Sequence, residues 1–167
     1  MPRAYIGVGS NVEPRLWYVR AAILSLYAVL DDVHASSIYE TDAEIVEDQP
    51  DFLNAVVSGV TALSPYRLLD ELQAIERRYG RRRESERRRG PRTVDLDLIL
   101  YGSRVSADDR LTVPHPGAAT RAFVLVPLLE IAPALNDPVT GRQYRELYRQ
   151  SKRVYREPRK LYTAVKP

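Results

Sequence analysis

The sequence predicts an α+β domain: an antiparallel sheet with helices, on a ferredoxin-like βαββαβ core, extended by a C-terminal hairpin and helix segment. Three observations predict it. Strand-like apolar runs occupy residues 3–8, 52–63 and 94–101. Helical spacing of apolar side chains fills 14–30 and 65–79 between them. With a further short strand before residue 40, the order is strand, helix, strand, strand, helix, strand, the split βαβ arrangement. The 167 residues are expected to form one domain, 1–167, large enough for a real core, with a basic tail from 142 that the pattern does not place.

Residues 3–8 alternate as a strand, and Gly7-Val8-Gly9-Ser10-Asn11 is read as a turn after it. That turn is neither a P-loop, since no Gly-Lys-Ser/Thr follows, nor a dinucleotide fingerprint, since the third glycine is missing. In the first helix Leu16, Val19, Ile23, Leu26, Tyr27 and Leu30 share a stripe. Asp31-Asp32 ends the pattern, and 34–39 can form the second strand with His34 as a surface edge residue. Residues 40–51 show no periodicity and read as a long loop, a length that often carries function. Residues 52–63, rich in Val and Ala, form the third strand. Ser64-Pro65 supplies an N-cap followed by Pro at the first helical position. Leu68, Leu72, Ile75 and Tyr79 line the inner face of that helix, and Gly80 stops it. After the strand at 94–101, Gly102-Ser103 reads as a two-residue hairpin turn, with 104–105 and 111–113 as short paired strands. Residues 121–131 read helical, with Pro127 marking a kink or a boundary. Helices on one face leave the other open, and the segment after Gly102 is the candidate to cover it.

The net charge of +3 conceals segregation. Nine Arg stand between Arg77 and Arg92 against Glu84 and Glu86; six acids and no base stand between Glu40 and Asp51; nine Lys or Arg follow from Arg142 onward against two Glu. Such blocks are solvated, and the basic ones favour polyanionic partners. The acidic and Arg-rich loops are expected to flank one site and attract each other in a salt-dependent way. With no Cys, disulfides and thiolate chemistry are excluded. No signal peptide or stretch of ~20 apolar residues is found, so no membrane span is expected; a cytoplasmic location and a monomer are further expectations.

The chemistry concentrates in Arg89-Gly90-Pro91-Arg92-Thr93-Val94-Asp95-Leu96-Asp97-Leu98-Ile99-Leu100-Tyr101-Gly102. On a strand Asp95 and Asp97 share one face with Ile99 and Tyr101, opposite Val94, Leu96, Leu98 and Leu100. Their Cα atoms are expected ~6.6 Å apart, and two carboxylates so close require positive charge between them. Arg92 is one candidate; a hard divalent cation is the better one, and a pair of Mg²⁺ ions with phosphate oxygens suits the spacing. An amphipathic strand with a wet face is the plain alternative.

These residues resemble a known family. Gly-Pro-Arg-x-x-Asp-x-Asp followed by aliphatics is the signature of 6-hydroxymethyl-7,8-dihydropterin pyrophosphokinases, enzymes of folate biosynthesis. Tyr5-Ile6-Gly7-Val8-Gly9-Ser10-Asn11, Asp48-Gln49-Pro50-Asp51-Phe52-Leu53-Asn54-Ala55, Arg110-Leu111-Thr112-Val113-Pro114-His115-Pro116 and Phe123-Val124-Leu125-Val126-Pro127-Leu128 agree, in order, so the resemblance runs from about residue 4 to 133. It implies transfer of the β,γ-pyrophosphoryl group of ATP to the hydroxymethyl oxygen of the dihydropterin, with release of AMP, using two Mg²⁺. It implies Asp95 and Asp97 as metal ligands and Arg81, Arg83 and Arg92 as catalytic guanidiniums, with Arg82 an alternative in the loop. On the ATP side it implies Glu76, Arg92, Arg110, Thr112, His115 and Arg121; on the pterin side, Thr41, Phe52, Asn54 and Phe123. Phe52 and Phe123 equally suit a core, and His115 a loop. Three positions depart from the family pattern: Arg89 stands for an aromatic, Asp42-Ala43-Glu44-Ile45 for a Pro-Pro-Leu-Gly run, and Pro116 for a larger residue. A ferredoxin-like RNA- or nucleotide-binding module without catalysis is the rival reading. It lacks the Lys/Arg-Gly-Phe-type stacking motif such modules carry, so a nucleic-acid partner is not expected. Retention of Arg92, Asp95, Asp97 and His115 argues against an inactive relative.

Overall fold

A computed structural model describes residues 1–42, 50–82, 90–151 and 158–163. Arg83, Arg89 and most of the acidic loop therefore lie outside the described residues, and with them the expected attraction between the two loops. The core strands are β1 (Arg3–Ser10), β2 (Asp31–Ala35), β3 (Ile38–Thr41), β4 (Phe52–Val60) and β5 (Asp95–Tyr101). The helices are α1 (Arg15–Leu26), α2 (Pro65–Arg78), α3 (Ala122–Ile131) and α4 (Tyr144–Ser151). A two-stranded ribbon pairs β6 (Ser106–Ala107) with β7 (Thr112–Val113), and β8 (Arg159–Tyr162) ends the described chain. The main sheet runs β5-β1-β4-β3-β8, with β2 also paired to β4, and its strands pair antiparallel.

Alternation along β1 and β4 sorts side chains onto two faces. Ala4, Ile6, Val8, Leu53, Ala55 and Val57 pack with Val19, Ile23 and Leu26 of α1 and Leu68, Leu72 and Ile75 of α2. Tyr5 and Val56 pack on the other side with Val124, Leu125 and Leu128 of α3 and with Tyr144 of α4. The segment after Gly102 thus covers the second face, as expected.

Several expectations are corrected. The predicted turn at Gly7–Asn11 is strand: β1 runs on to Ser10, because glycines at 7 and 9 are tolerated where neighbouring side chains come close. The first helix ends at Leu26, four residues early, where Tyr27, Ala28 and Val29 close i→i+3 bonds that tighten the last turn. The single strand at 34–39 is two strands. Buried Ser36 and Ser37 interrupt it, and the Ser36 hydroxyl accepts the Val56 amide at 2.9 Å where a strand carbonyl would otherwise stand. Gly102 (φ +53°) does turn the chain, the Arg104 amide bonding the Tyr101 carbonyl. That turn does not join paired strands, however, and the partner of β7 is Ser106–Ala107 rather than 104–105. Pro127 sits inside α3 without ending it.

The most consequential correction lies in β5. Tyr5 pairs with Leu100 but Ile6 with Leu98, so Ile99 and Leu100 oppose one residue, a β-bulge. Beyond it the alternation is inverted. Leu100 joins Ile99 on the α3 face, and Tyr101 crosses to the α1/α2 face, where its hydroxyl donates to the Leu63 carbonyl at 2.6 Å. Asp95, Asp97 and Ile99 keep their common face as predicted.

Candidate active site

Three neighbouring strands line up the site. Gly9 is in register with Asn54 on β4 and with Asp95 on β5; Gly7 is in register with Val56 and Asp97. These residues share the α3 face of the sheet, with adjacent strands about 4.8 Å apart. The two glycines, with no side chains of their own, make a floor between a neutral wall and a carboxylate wall, and over Gly7 the Ile99 side chain comes in, its Cδ1 3.3 Å from where a Cβ would stand. A Cβ at Gly9 would meet the Asn54 Oδ1 at 3.1 Å and the Asp95 Cβ at 3.8 Å.

The carboxylate wall is built from α2 outward. Gly80, at φ +85°, closes the helix with a Schellman motif, the Arg81 amide on the Glu76 carbonyl and the Gly80 amide on the Arg77 carbonyl. That turn sends Arg81 back beneath the helix end. Its guanidinium, 8% exposed, bonds both Glu76 and Asp95 and reaches the Val94 carbonyl at 3.3 Å. Arg92 bonds Asp95 from the other side. Burial pushes the Asp95 carboxyl up, but the charges of Arg81 and Arg92 outweigh it and hold the group below the usual carboxylate range. Glu76 is 1% exposed and also accepts the Leu96 amide at 2.8 Å, so it orients Arg81 and the start of β5 from within the core. Asn11, a position to which the motifs assign no role, fixes the Arg92 loop. Its amide donates to the Arg92 carbonyl at 3.2 Å, its Oδ1 accepts the Arg92 amide at 2.7 Å, and its Nδ2 donates to Pro50 O at 3.3 Å. The signal available was a buried-type Asn directly after a Gly-x-Gly-Ser strand.

The neutral wall is Asn54, whose Nδ2 donates to the Thr41 hydroxyl at 2.7 Å, beside Phe52. Over the start of α3 stand His115, Arg121 and Phe123. Arg121 lies over the Phe123 ring at 5.6 Å. Gly117 permits this packing, since a Cβ there would lie 2.7 Å from Arg121 Cδ and 3.3 Å from His115 Nδ1. The Gly117 amide donates to that Nδ1 at 3.1 Å. Desolvation and then the Arg121 charge lower the His115 pKa, against the opposing pull of Asp95. Arg110 is engaged elsewhere: it bonds Asp70 at 2.7 Å and lies over Tyr66, both on α2. Thr112 is exposed on β7. Among the described residues, neither bonds a member of the cluster.

Among the described residues no group of three or more His, Asp or Glu gathers to hold a metal by itself. Two carboxylates on one strand face fit a magnesium ion, which keeps several waters and takes one or two carboxylates plus substrate phosphates. Also among the described residues, no helix is long and apolar enough to cross a membrane.

Fold and site together define a class: a ferredoxin-like α+β domain in which fixed guanidiniums and a carboxylate pair face a neutral, aromatic-edged wall. The family description 7,8-dihydro-6-hydroxymethylpterin-pyrophosphokinase (HPPK) matches residues 5–133. The 2-amino-4-hydroxy-6-hydroxymethyldihydropteridine pyrophosphokinase of Haemophilus influenzae is 45% identical over 135 residues, 79% of this chain and 82% of that protein. That of Bacillus subtilis is 43% identical over 142 residues, 84% of each. The wild-type HPPK-DHPS crystal structure of Plasmodium falciparum shares the fold at TM-score 0.71 and 13% identity, over 89% of this chain and 43% of that longer one. This chain belongs to the 7,8-dihydro-6-hydroxymethylpterin-pyrophosphokinase family.

Proposed function

We propose that this chain transfers the β,γ-pyrophosphoryl group of ATP to 6-hydroxymethyl-7,8-dihydropterin, giving the pterin diphosphate and AMP, a step of folate biosynthesis. The observation that carries the reading is the glycine floor with Asn54 on one side and Asp95 and Asp97 on the other. It offers a flat slot beside a charged one. In the slot, Asn54 reads a pterin edge with both donor and acceptor, held by Thr41, while Phe52 and Phe123 supply aromatic surface.

In the reaction the hydroxymethyl oxygen forms a bond to the β-phosphorus as the bridge from that phosphorus to the α-phosphate breaks. The hydroxyl proton departs and AMP carries off the electron pair. This chemistry asks for positioning and charge neutralisation. Arg81 and Arg92, which neutralise Asp95 here, are the groups a triphosphate would recruit, their planar forks suiting phosphate oxygens. Arg83 is assigned to the same task. Arg121 and His115 face the nucleotide side, and Glu76 acts through Arg81. Arg110 and Thr112 are assigned to the outer nucleotide side. Asp95 and Asp97 would hold Mg²⁺, two ions in the full complex, which when bound supplies charge neutralisation on the phosphate oxygens. The protein works as a monomer on these small molecules.

The test is to mix protein, Mg²⁺, ATP and hydroxymethyldihydropterin and quantify nucleotides. AMP should appear in a 1:1 ratio with pterin diphosphate. ADP in place of AMP, or salt-sensitive RNA binding with no AMP, would overturn the proposal.

A further inference from the structure

The family match stops at residue 133, but the sheet does not. Strand β8 pairs with β3 at Ile38↔Tyr162, Tyr39↔Lys160 and Glu40↔Arg159. Successive side chains of β8 reach opposite faces, as a strand requires. Lys160 bonds Glu130 of α3 at 3.2 Å, the carboxylate that also accepts the Ser37 amide, the Ser37 hydroxyl and the Tyr39 hydroxyl. Arg159 bonds Glu40 on the α1 side.

Glu40 is the junction. Its side chain is only 11% exposed, and it also pairs with Arg15 at 2.7 Å. Arg15 in turn donates to the Asp51 carbonyl at 2.8 Å and pairs with Glu13 at 3.0 Å. Asp51 directly precedes Phe52. Glu40 directly precedes Thr41, which is in register with Phe52 and whose hydroxyl accepts from Asn54. One chain of charge-assisted bonds therefore runs from the C-terminal strand, through Glu40 and Arg15, to both ends of the neutral wall. The bonds from Arg159 and Arg15 hold the Glu40 carboxyl below its ordinary range.

We propose that β8 is a positioning element for the pterin side of the site, acting through Arg159, Glu40 and Arg15 to fix the spacing of Thr41, Phe52 and Asn54. None of the three charged residues touches the substrate; they set the geometry of those that do. The proposal rests on the pyrophosphokinase reading above for its kinetic form, but its wiring is independent of that reading.

Full-length Arg159→Ala, Arg159→Lys and Glu40→Gln are compared with wild type. One experiment measures steady-state kinetics with each substrate varied; the other follows backbone hydrogen exchange. An exposed arm of an ion-pair network contributes little, so the effect is a small one, a factor of roughly 2 to 5. Arg159→Ala should raise the KM for pterin by about that factor, leave kcat and the KM for ATP unchanged, and speed exchange at 52–54 but not in β5. Glu40→Gln should do the same more strongly, and Arg159→Lys should restore most of the loss. Unchanged pterin KM and unchanged exchange in both Arg159→Ala and Glu40→Gln would overturn the proposal. So would an equal loss for both substrates with a lowered Tm, the pattern of a general destabilisation. A wild type that produces no pterin diphosphate would sink the functional reading instead, while exchange at 52–54 still decides the wiring.

Discussion

The two walls of the site are held in different ways. On the β5 side, Asp95 and Glu76 are held by Arg81 and Arg92 in a charge network whose inner pair, Arg81 and Glu76, is buried. On the β4 side, Asn54 and Thr41 share one neutral hydrogen bond, and the charges that steady them sit a shell further out, at Glu40 and Arg15. The charged wall carries its own neutralisation before any substrate arrives. The neutral wall depends on the spacing of backbone strands. Loss of one group should therefore break the first wall and only loosen the second.

The largest effect is expected at Arg81. Arg81→Ala takes a bonded cation away from Glu76, 1% exposed, and breaking a buried pair costs about 3–5 kcal/mol. Urea unfolding should show that loss; a midpoint within experimental error of wild type would mean that the network is ornamental to the fold. Next comes Asp97→Asn, which keeps shape and removes charge. A fall in AMP formation of about 100- to 1,000-fold is expected, the scale for losing one electrostatic contributor at a reacting centre, with an unaltered circular dichroism spectrum. Full activity in that variant removes Asp97 from the site.

Gly9→Ala probes the floor common to both walls. Its Cβ would stand 3.1 Å from the Asn54 Oδ1, so Asn54 must give way. A cost of about 1 kcal/mol in stability should accompany a rise in pterin KM larger than any rise in ATP KM; the reverse order would place the nucleotide, not the pterin, over Gly9.

The smallest effect is the titration of His115. Burial and Arg121 depress its pKa, so the folded ring stays neutral at pH values where the unfolded ring, near 6.5, already binds a proton. Stability from this group is full above that pH and declines as pH falls from there toward the folded value. Ring resonances in NMR, assigned with His115→Ala against the second histidine His34, should give a midpoint below 6.5. A midpoint at or above it would mean that desolvation and Arg121 together do not outweigh Asp95 at this ring.

Much of this was legible in the chain. Helical spacing placed Leu68, Leu72 and Ile75 in the core, and Ser64-Pro65 and Gly80 marked both ends of α2. The common face of Asp95 and Asp97 followed from strand period alone. What escaped were features decided by partners distant in sequence. The extra residue at Ile99–Leu100 exists only relative to Tyr5 and Ile6. Gly7 and Gly9 read as turn because glycine is common there, yet here they are strand residues pressed by Ile99 and Asn54. Arg92 was one candidate for the positive charge beside the Asp pair, and it does bond Asp95; Arg81 was expected to meet phosphate, and that it too bonds Asp95 required knowing where the Schellman turn aims the chain. Strand β8 was left unplaced: two of its four residues are charged, and the partners that hold it, strand β3, Glu40, Glu130 and the core beneath Leu161, are all distant in sequence.

The bulge in β5 has a consequence for how this strand can change over time. Its two ends answer to different neighbours: the front half keeps Asp95 where Arg81 and Arg92 bond it, the back half follows the helix layer beneath Tyr101. Dropping the odd residue would rotate one half by a half-turn, burying the acids in hydrocarbon or casting Tyr101 out of its contact with Leu63. Point substitutions along the strand can be absorbed one at a time; a single-codon deletion there would have to fail at one end or the other.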